Sequence, residues 1–140
     1  MHKLYLDANI LYDIVDNKRP FHKEAELIFS LAENNKLQIF TSIINPVFLN
    51  YSLMKIIRNR QKVLTMICEI SKLLSLVEIN QQIYYSALNN GYSDFEDDIQ
   101  YYSALSVKDI SAIITNNKKD FIKSLIPLLT PGEFLKKFPL

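Results

Sequence analysis

Short apolar runs alternate along the chain with longer stretches whose apolar residues recur at helical spacing. "KLYL" (3–6) reads as a buried strand that stops at Asp7. In "NILYDIVD" (9–16) Ile10, Leu11 and Ile14 share a face, which predicts a helix broken at Arg19-Pro20. Ala25, Ile28, Phe29 and Ala32 predict a second helix over 21–36, ended by "NNK". "LQIFTS" (37–42) is a second strand, and Pro46 suits the first turn of the helix that follows. Val63, Ile67, Ile70 and Leu74 place another helix at 61–75. "LVEI" (76–79) is a third strand, and "QQIYYSALNNG" a helix closed by Asn90-Gly91. "SDFEDDIQYYSALSV" is a further helix, with Ser93 or Asp94 as its N-cap. "DISAIITNN" is a fourth strand, followed by a short helix at 119–124. "IPLLTP" is a short last strand and "GEFLKKF" a closing helix.

Strands alternating with helices predict an α/β domain with a mostly parallel sheet, occupying residues 1–140 as one unit. Sites in such sheets form beyond the carboxyl ends of the strands. Asp7 ends the first strand, Ser42 the second, and Asn116 and Asn117 the fourth, with Asp120 just beyond. If these strands are neighbours, their polar ends converge on one edge. The helix at "SDFEDD" adds Asp94, Glu96, Asp97 and Asp98. Asp94, Glu96 and Asp98 read as solvated acids near a helix N-terminus, where they meet the helix dipole favourably. Asp97 lies close to the face that bears Ala104, which should pack on the sheet. An acid there is costly unless positive charge meets it. Carboxylates gathered without His or Cys suit a hard cation, Mg²⁺ or Mn²⁺, and point toward phosphate chemistry without identifying the substrate.

Composition narrows this further. The chain has 140 residues, 49% hydrophobic and 22% charged, as in an ordinary globular domain. A net charge of +1 provides no global basic field, so any nucleic-acid role rests on local patches. "KIIRNRQK" (55–62) is one such patch and reads as solvated helix ends. Lys118 and Lys119, beside Asp120, are closer to the acids and are candidate phosphate contacts. Tyr84, Tyr85, Tyr101 and Tyr102 have rings that stack on bases or pack helices together, and packing is the expectation for most of them. Cys68 rules out an internal disulfide, and its apolar helical context predicts a buried, inert thiol. No apolar run is long enough for a signal peptide or a membrane span, so a cytoplasmic protein is expected.

"LYLDANILYDIVDNKRPF", "IFTSI", "SDFEDDIQYYSAL" and "IITNNKKDF" together resemble a PIN domain, and within that family the small VapC-type toxins. The resemblance runs from about residue 3 to residue 135, with the motifs in order and at fitting spacing. It implies a three-layer α/β/α domain with a five-stranded, mostly parallel sheet. It also implies a Mg²⁺- or Mn²⁺-dependent endoribonuclease that cleaves RNA by a metal-activated water, commonly a homodimer silenced by a small antitoxin. By the same likeness Asp7, Asp97 and Asp120 are the metal-holding acids. Asn9 holds Asp7 or a metal-bound water, Ser42 follows the second strand, Asn117 bonds within the late loop or to the site, and Glu96 is a supporting residue behind Asp97 or a solvated acid. Asp13 and Arg19 also fall at family-like positions, and for them a structural ion pair or a helix-end role is the expectation.

One position departs from the pattern. The family usually carries a glutamate six residues after the Ser or Thr of the second strand, where this chain has Phe48. No acid occurs between Glu33 and Glu69. Three acids bind metal more weakly than four. Relatives with a neutral residue here do occur in this branch, and Phe48 is expected to fill core space. Two other readings stay open. One is a degenerate PIN domain that binds RNA or a protein without cleaving. The other, ranked last, is a phosphatase on a similar sheet, whose second Asp "DANI" lacks.

Overall fold

The computed structural model describes residues 1–138. Five strands, β1 (His2–Leu6), β2 (Leu37–Ser42), β3 (Leu74–Val77), β4 (Ala112–Ile114) and β5 (Leu128–Leu129), form one sheet in the order β3-β2-β1-β4-β5. Every pairing is parallel. Parallel neighbours need crossovers, and helices supply them. These are α1 (Ala8–Val15), α2 (His22–Glu33), α3 (Ile44–Ile57), α4 (Arg60–Ser71), α5 (Gln81–Asn90), α6 (Phe95–Leu105) and α7 (Pro131–Lys137). A 3₁₀ turn covers Lys118–Phe121.

Leu4, Tyr5 and Leu6 are fully buried because β1 is central and covered on both faces. On one face Leu4 and Leu6 pack with Ile10, Ile28, Leu49 and Phe134. On the other, Tyr5 packs with Tyr101, Ala104 and Phe121. The chain builds outward from β1 through β2 to β3, then returns to add β4 on the other side of β1. The loops after β1 and β4 therefore diverge, which opens a crevice at the carboxyl edge between them.

Several boundaries differ from those the sequence predicts. β3 begins at Leu74, two residues before the expected start, because Leu74 pairs with Ile39 in the ladder instead of closing α4. The strand within 109–117 shrinks to Ala112–Ile114, and the helix expected at 119–124 is the tighter 3₁₀ turn. Cys68 is exposed on α4, not buried, since Val63 and Ile70 carry that helix's buried face. Phe48 does not fill the core either: it is 45% exposed, while Leu49 and Leu53 provide the inward face of α3. No helix among the described residues is long and apolar enough to cross a membrane.

Candidate active site

Asp7 ends β1 and starts α1. Its extended backbone makes it the N-cap, and its Oδ1 accepts the Ala8 N–H at 2.8 Å. The other oxygen, Oδ2, accepts from Thr115 Oγ1 at 2.8 Å and from Asn9 Nδ2 at 3.1 Å. Burial pushes the Asp7 carboxyl above its ordinary range, against the donors that favour the ion, and Asp120 adds to the rise.

Thr115 is the residue that sequence reading missed. It follows β4, is fully buried, and accepts the Asn117 N–H at 3.0 Å while it donates to Asp7. Asn117 Nδ2 in turn donates to Asp120 Oδ2 at 2.6 Å. A short polar relay thus fixes two of the three expected acids relative to each other. Asp13 steadies the same loop: it is buried, pairs with Arg19 Nε at 2.7 Å, and accepts from Asn116 Nδ2 at 2.6 Å. The Asp13–Arg19 ion pair is therefore present, and it is tied to the loop after β4.

The third acid comes from α6. Asp97 is half-buried in the helix's first turn, and its side chain makes no hydrogen bond among the described residues. Burial pushes its carboxyl up to about 6, and the negative charge of Asp120 and Asp7 adds to the rise. That coupling shows the three carboxylates sharing one field. They do not close on a point: among the described residues, no group of three or more His, Cys, Asp or Glu is arranged to hold an ion.

Asp98 corrects an expectation. It is buried, not solvated, and its Oδ1 accepts the N–H groups of Tyr92 and Ser93, each at 3.1 Å. Asp94 is the formal N-cap but makes no side-chain capping bond. Asp98 instead folds the preceding loop back onto the helix. Gly91 permits it, since a Cβ there would lie 1.9 Å from Asp98 Oδ2.

A second buried polar network lies beneath the crevice. Asn45 and Gln100 exchange side-chain hydrogen bonds at 2.8 and 2.7 Å, joining α3 to α6. Tyr5 Oη also donates to Gln100 Oε1, and Asn45 Nδ2 donates to Thr41 Oγ1 at 2.8 Å. Burial pushes the Tyr5 hydroxyl well above its usual range, so it remains a donor. Ser42 joins this network: it is buried, its N–H donates to Tyr5 Oη at 3.2 Å, and its Oγ accepts the Ile44 N–H at 3.4 Å.

The remaining expected residues are peripheral. Glu96 is exposed, and with Ile44, Phe48, Tyr84 and Phe95 it lines an apolar hollow of about 290 Å³. Lys118 is engaged by Glu133 at 2.8 Å, which ties the 3₁₀ turn to α7. Lys119 is exposed beside Asp120 and forms no ion pair among the described residues. The basic residues of 55–62 sit where α3 ends and α4 begins. Since α3 starts at the carboxyl edge and runs away from it, that cluster lies far from the acids.

The sequence profile of the PIN domain matches residues 3–119. The chain belongs to the PIN-domain family. Within it the likeness is to VapC-type members. This PIN domain is 29% identical to Ribonuclease VapC1 of Aquifex aeolicus (strain VF5), over 97% of this chain and 95% of that protein. Its fold is similar to the crystal structure of VapBC2 from Rickettsia felis bound to a DNA fragment from their promoter. There the TM-score is 0.65 at 19% identity, covering 91% of this chain and 98% of that one.

The donor set of the crevice fits a hard divalent cation. Every candidate ligand is a carboxylate or amide oxygen, and burial, with the unrelieved negative charge of Asp120 and Asp7, pushes the Asp97 carboxyl up to about 6.

Proposed function

We propose that this PIN domain is a metal-dependent endoribonuclease, the toxin of a toxin–antitoxin pair. The observation that carries the reading is the mutual charge of Asp7, Asp97 and Asp120 at the switch point of the sheet. The relationship to Ribonuclease VapC1 supports the same activity. When bound, Mg²⁺ or Mn²⁺ supplies positive charge for the phosphodiester and a nucleophilic water at neutral pH. Asp7, Asp97 and Asp120 are the residues that would hold it. Asn9 and Thr115 aim Asp7, and Asn117 aims Asp120. Asp97 makes no hydrogen bond among the described residues, and a bound cation would favour its ionised form. Among the described residues no histidine stands at the crevice, and no side chain is placed as a dedicated general base.

A small antitoxin is the proposed partner, a homodimer the proposed assembly. The Rickettsia felis relative is known as a VapBC complex, which supports the first. A second reading, binding without cleavage, is favoured by Phe48 and by the open arrangement of the acids. Incubation with single-stranded RNA separates the two. Cleavage is expected with Mn²⁺, and none with EDTA. Asp7→Asn and Asp120→Asn should each reduce the rate roughly a hundredfold with the fold intact. RNA binding without cleavage under any divalent cation would favour the second reading.

A further inference from the structure

The loop Gly91–Asp94 has an unusual construction. A buried carboxylate, Asp98, holds two of its N–H groups, and a glycine is required so that this carboxylate can approach. The one large side chain so positioned, Tyr92, points outward and is 63% exposed. Its ring meets the Lys123 ammonium at 4.6 Å from the centroid. Tyr92, Lys123 and Lys119 border a hollow of about 70 Å³ whose wall includes Asp120, one of the three acids. The hollow is far too small to enclose a base, since cavities that swallow small molecules measure about 300 Å³ or more. Its size suits a phosphate or ribose edge, with the base outside on the ring. Ile122, 80% exposed on the same rim, offers further apolar surface. Neither Lys119 nor Lys123 forms an ion pair among the described residues, whereas Lys118 is spent on Glu133.

We propose that Tyr92, Lys119 and Lys123 form a nucleotide subsite that seats single-stranded RNA beside the phosphodiester to be cut. This rests on the ribonuclease reading. Tyr92 stacks on one base, whichever base it is, because every base has a π-face. Lys119 and Lys123 neutralise the adjoining phosphate, which offsets the repulsion that RNA meets from the acids. The backbone that carries the ring is already pinned by Asp98, which lowers the ordering cost left for binding.

The test is fluorescence anisotropy of a labelled, mixed-sequence single-stranded RNA with the full chain in EDTA, alongside cleavage of the same RNA in Mn²⁺. Tyr92→Ala should weaken binding by roughly five- to hundredfold, the range for losing one stacked base, and Tyr92→Phe should bind like wild type. Lys119→Ala with Lys123→Ala should make the slope of log affinity against log salt shallower by roughly 0.7 per lysine. All three side chains are exposed, so these variants should fold. Wild-type protein that cleaves RNA, with Tyr92→Ala and the double lysine variant binding equally well, would overturn the subsite and leave the ribonuclease reading standing. Wild-type protein that neither binds nor cleaves RNA would overturn both.

Discussion

Asp97 is held up to about 6 first by its burial and then by Asp120 and Asp7. An acid whose folded pKa exceeds its unfolded value of 3.8 favours the fold only while protonated. Its contribution is full below about pH 4 and is lost as pH rises through about 6. Above that, ionised Asp97 works against folding, a cost that a functional site tolerates. Asp97→Asn should therefore melt at a higher temperature than wild type at about pH 7.5 without divalent cation. The gain should vanish near about pH 4, while RNA cleavage is lost at every pH. Thermal melts across that range check it; an unchanged or lower melting point at the alkaline end would contradict the charge balance given for the site. Asp7 was legible because an acid that ends an apolar run needs a reason, Asp97 because it borders the helix face expected on the sheet, and Asp120 because it lies just beyond the polar end of a strand. Thr115 was not: threonine is common at strand ends, and only the pairing of β4 with β1 brings its hydroxyl to Asp7. Asp98 was misread because helical spacing places it in a first turn, where acids are usually solvated. The loop that folds back to supply its donors leaves no periodic trace.

The same loop gives a test between elements. Gly91→Ala would push a methyl group into the Asp98 carboxylate, and overpacking of this kind costs about 1–3 kcal/mol. Asp98→Ala strips the Tyr92 and Ser93 N–H groups of their acceptor, a loss of about 1–3 kcal/mol. Together the two changes should cost less than their sum, since the clash needs the carboxylate. Recovery should be partial, because the Ala87 carbonyl oxygen also stands 2.6 Å from where the added methyl group would sit. Urea unfolding of the two single variants and the double variant measures this, and strict additivity would refute the contact. Phe48 makes a companion case on α3. The resemblance implies a glutamate at its position, yet Phe48 opens on the hollow with Ile44, Tyr84 and Phe95. Phe48→Glu should cost less than the roughly 3–5 kcal/mol of losing a fully buried ring. It should also leave the Mn²⁺-induced rise in melting temperature equal to that of wild type. A larger rise would place residue 48 in the metal site after all. The sequence pattern located every helix and strand, but it missed the ends where tertiary pairing decides. Leu74 fits both the helical face of α4 and the ladder of β3, and its partner Ile39 settles the choice.

At the scale of the molecule, Asp7 and Asp120 are far apart in sequence and reach one crevice because β4 lies beside β1. Alternating strands and helices made a parallel sheet legible. Which strands are neighbours is set by how helices cover each face, and periodicity alone does not carry that. The Asn45–Gln100 pair then locks α3 to α6, the helix that carries Asp97. The function proposed for the crevice requires these three carboxylates to bind one cation together. Titration of the metal-free protein with Mn²⁺, followed by the electron paramagnetic resonance of the free ion, measures it directly. Wild type should take up Mn²⁺, and Asp7→Asn, Asp97→Asn and Asp120→Asn should each weaken uptake about tenfold or more, as expected when one charged ligand is removed. Equal Mn²⁺ uptake by wild type and all three variants would contradict it.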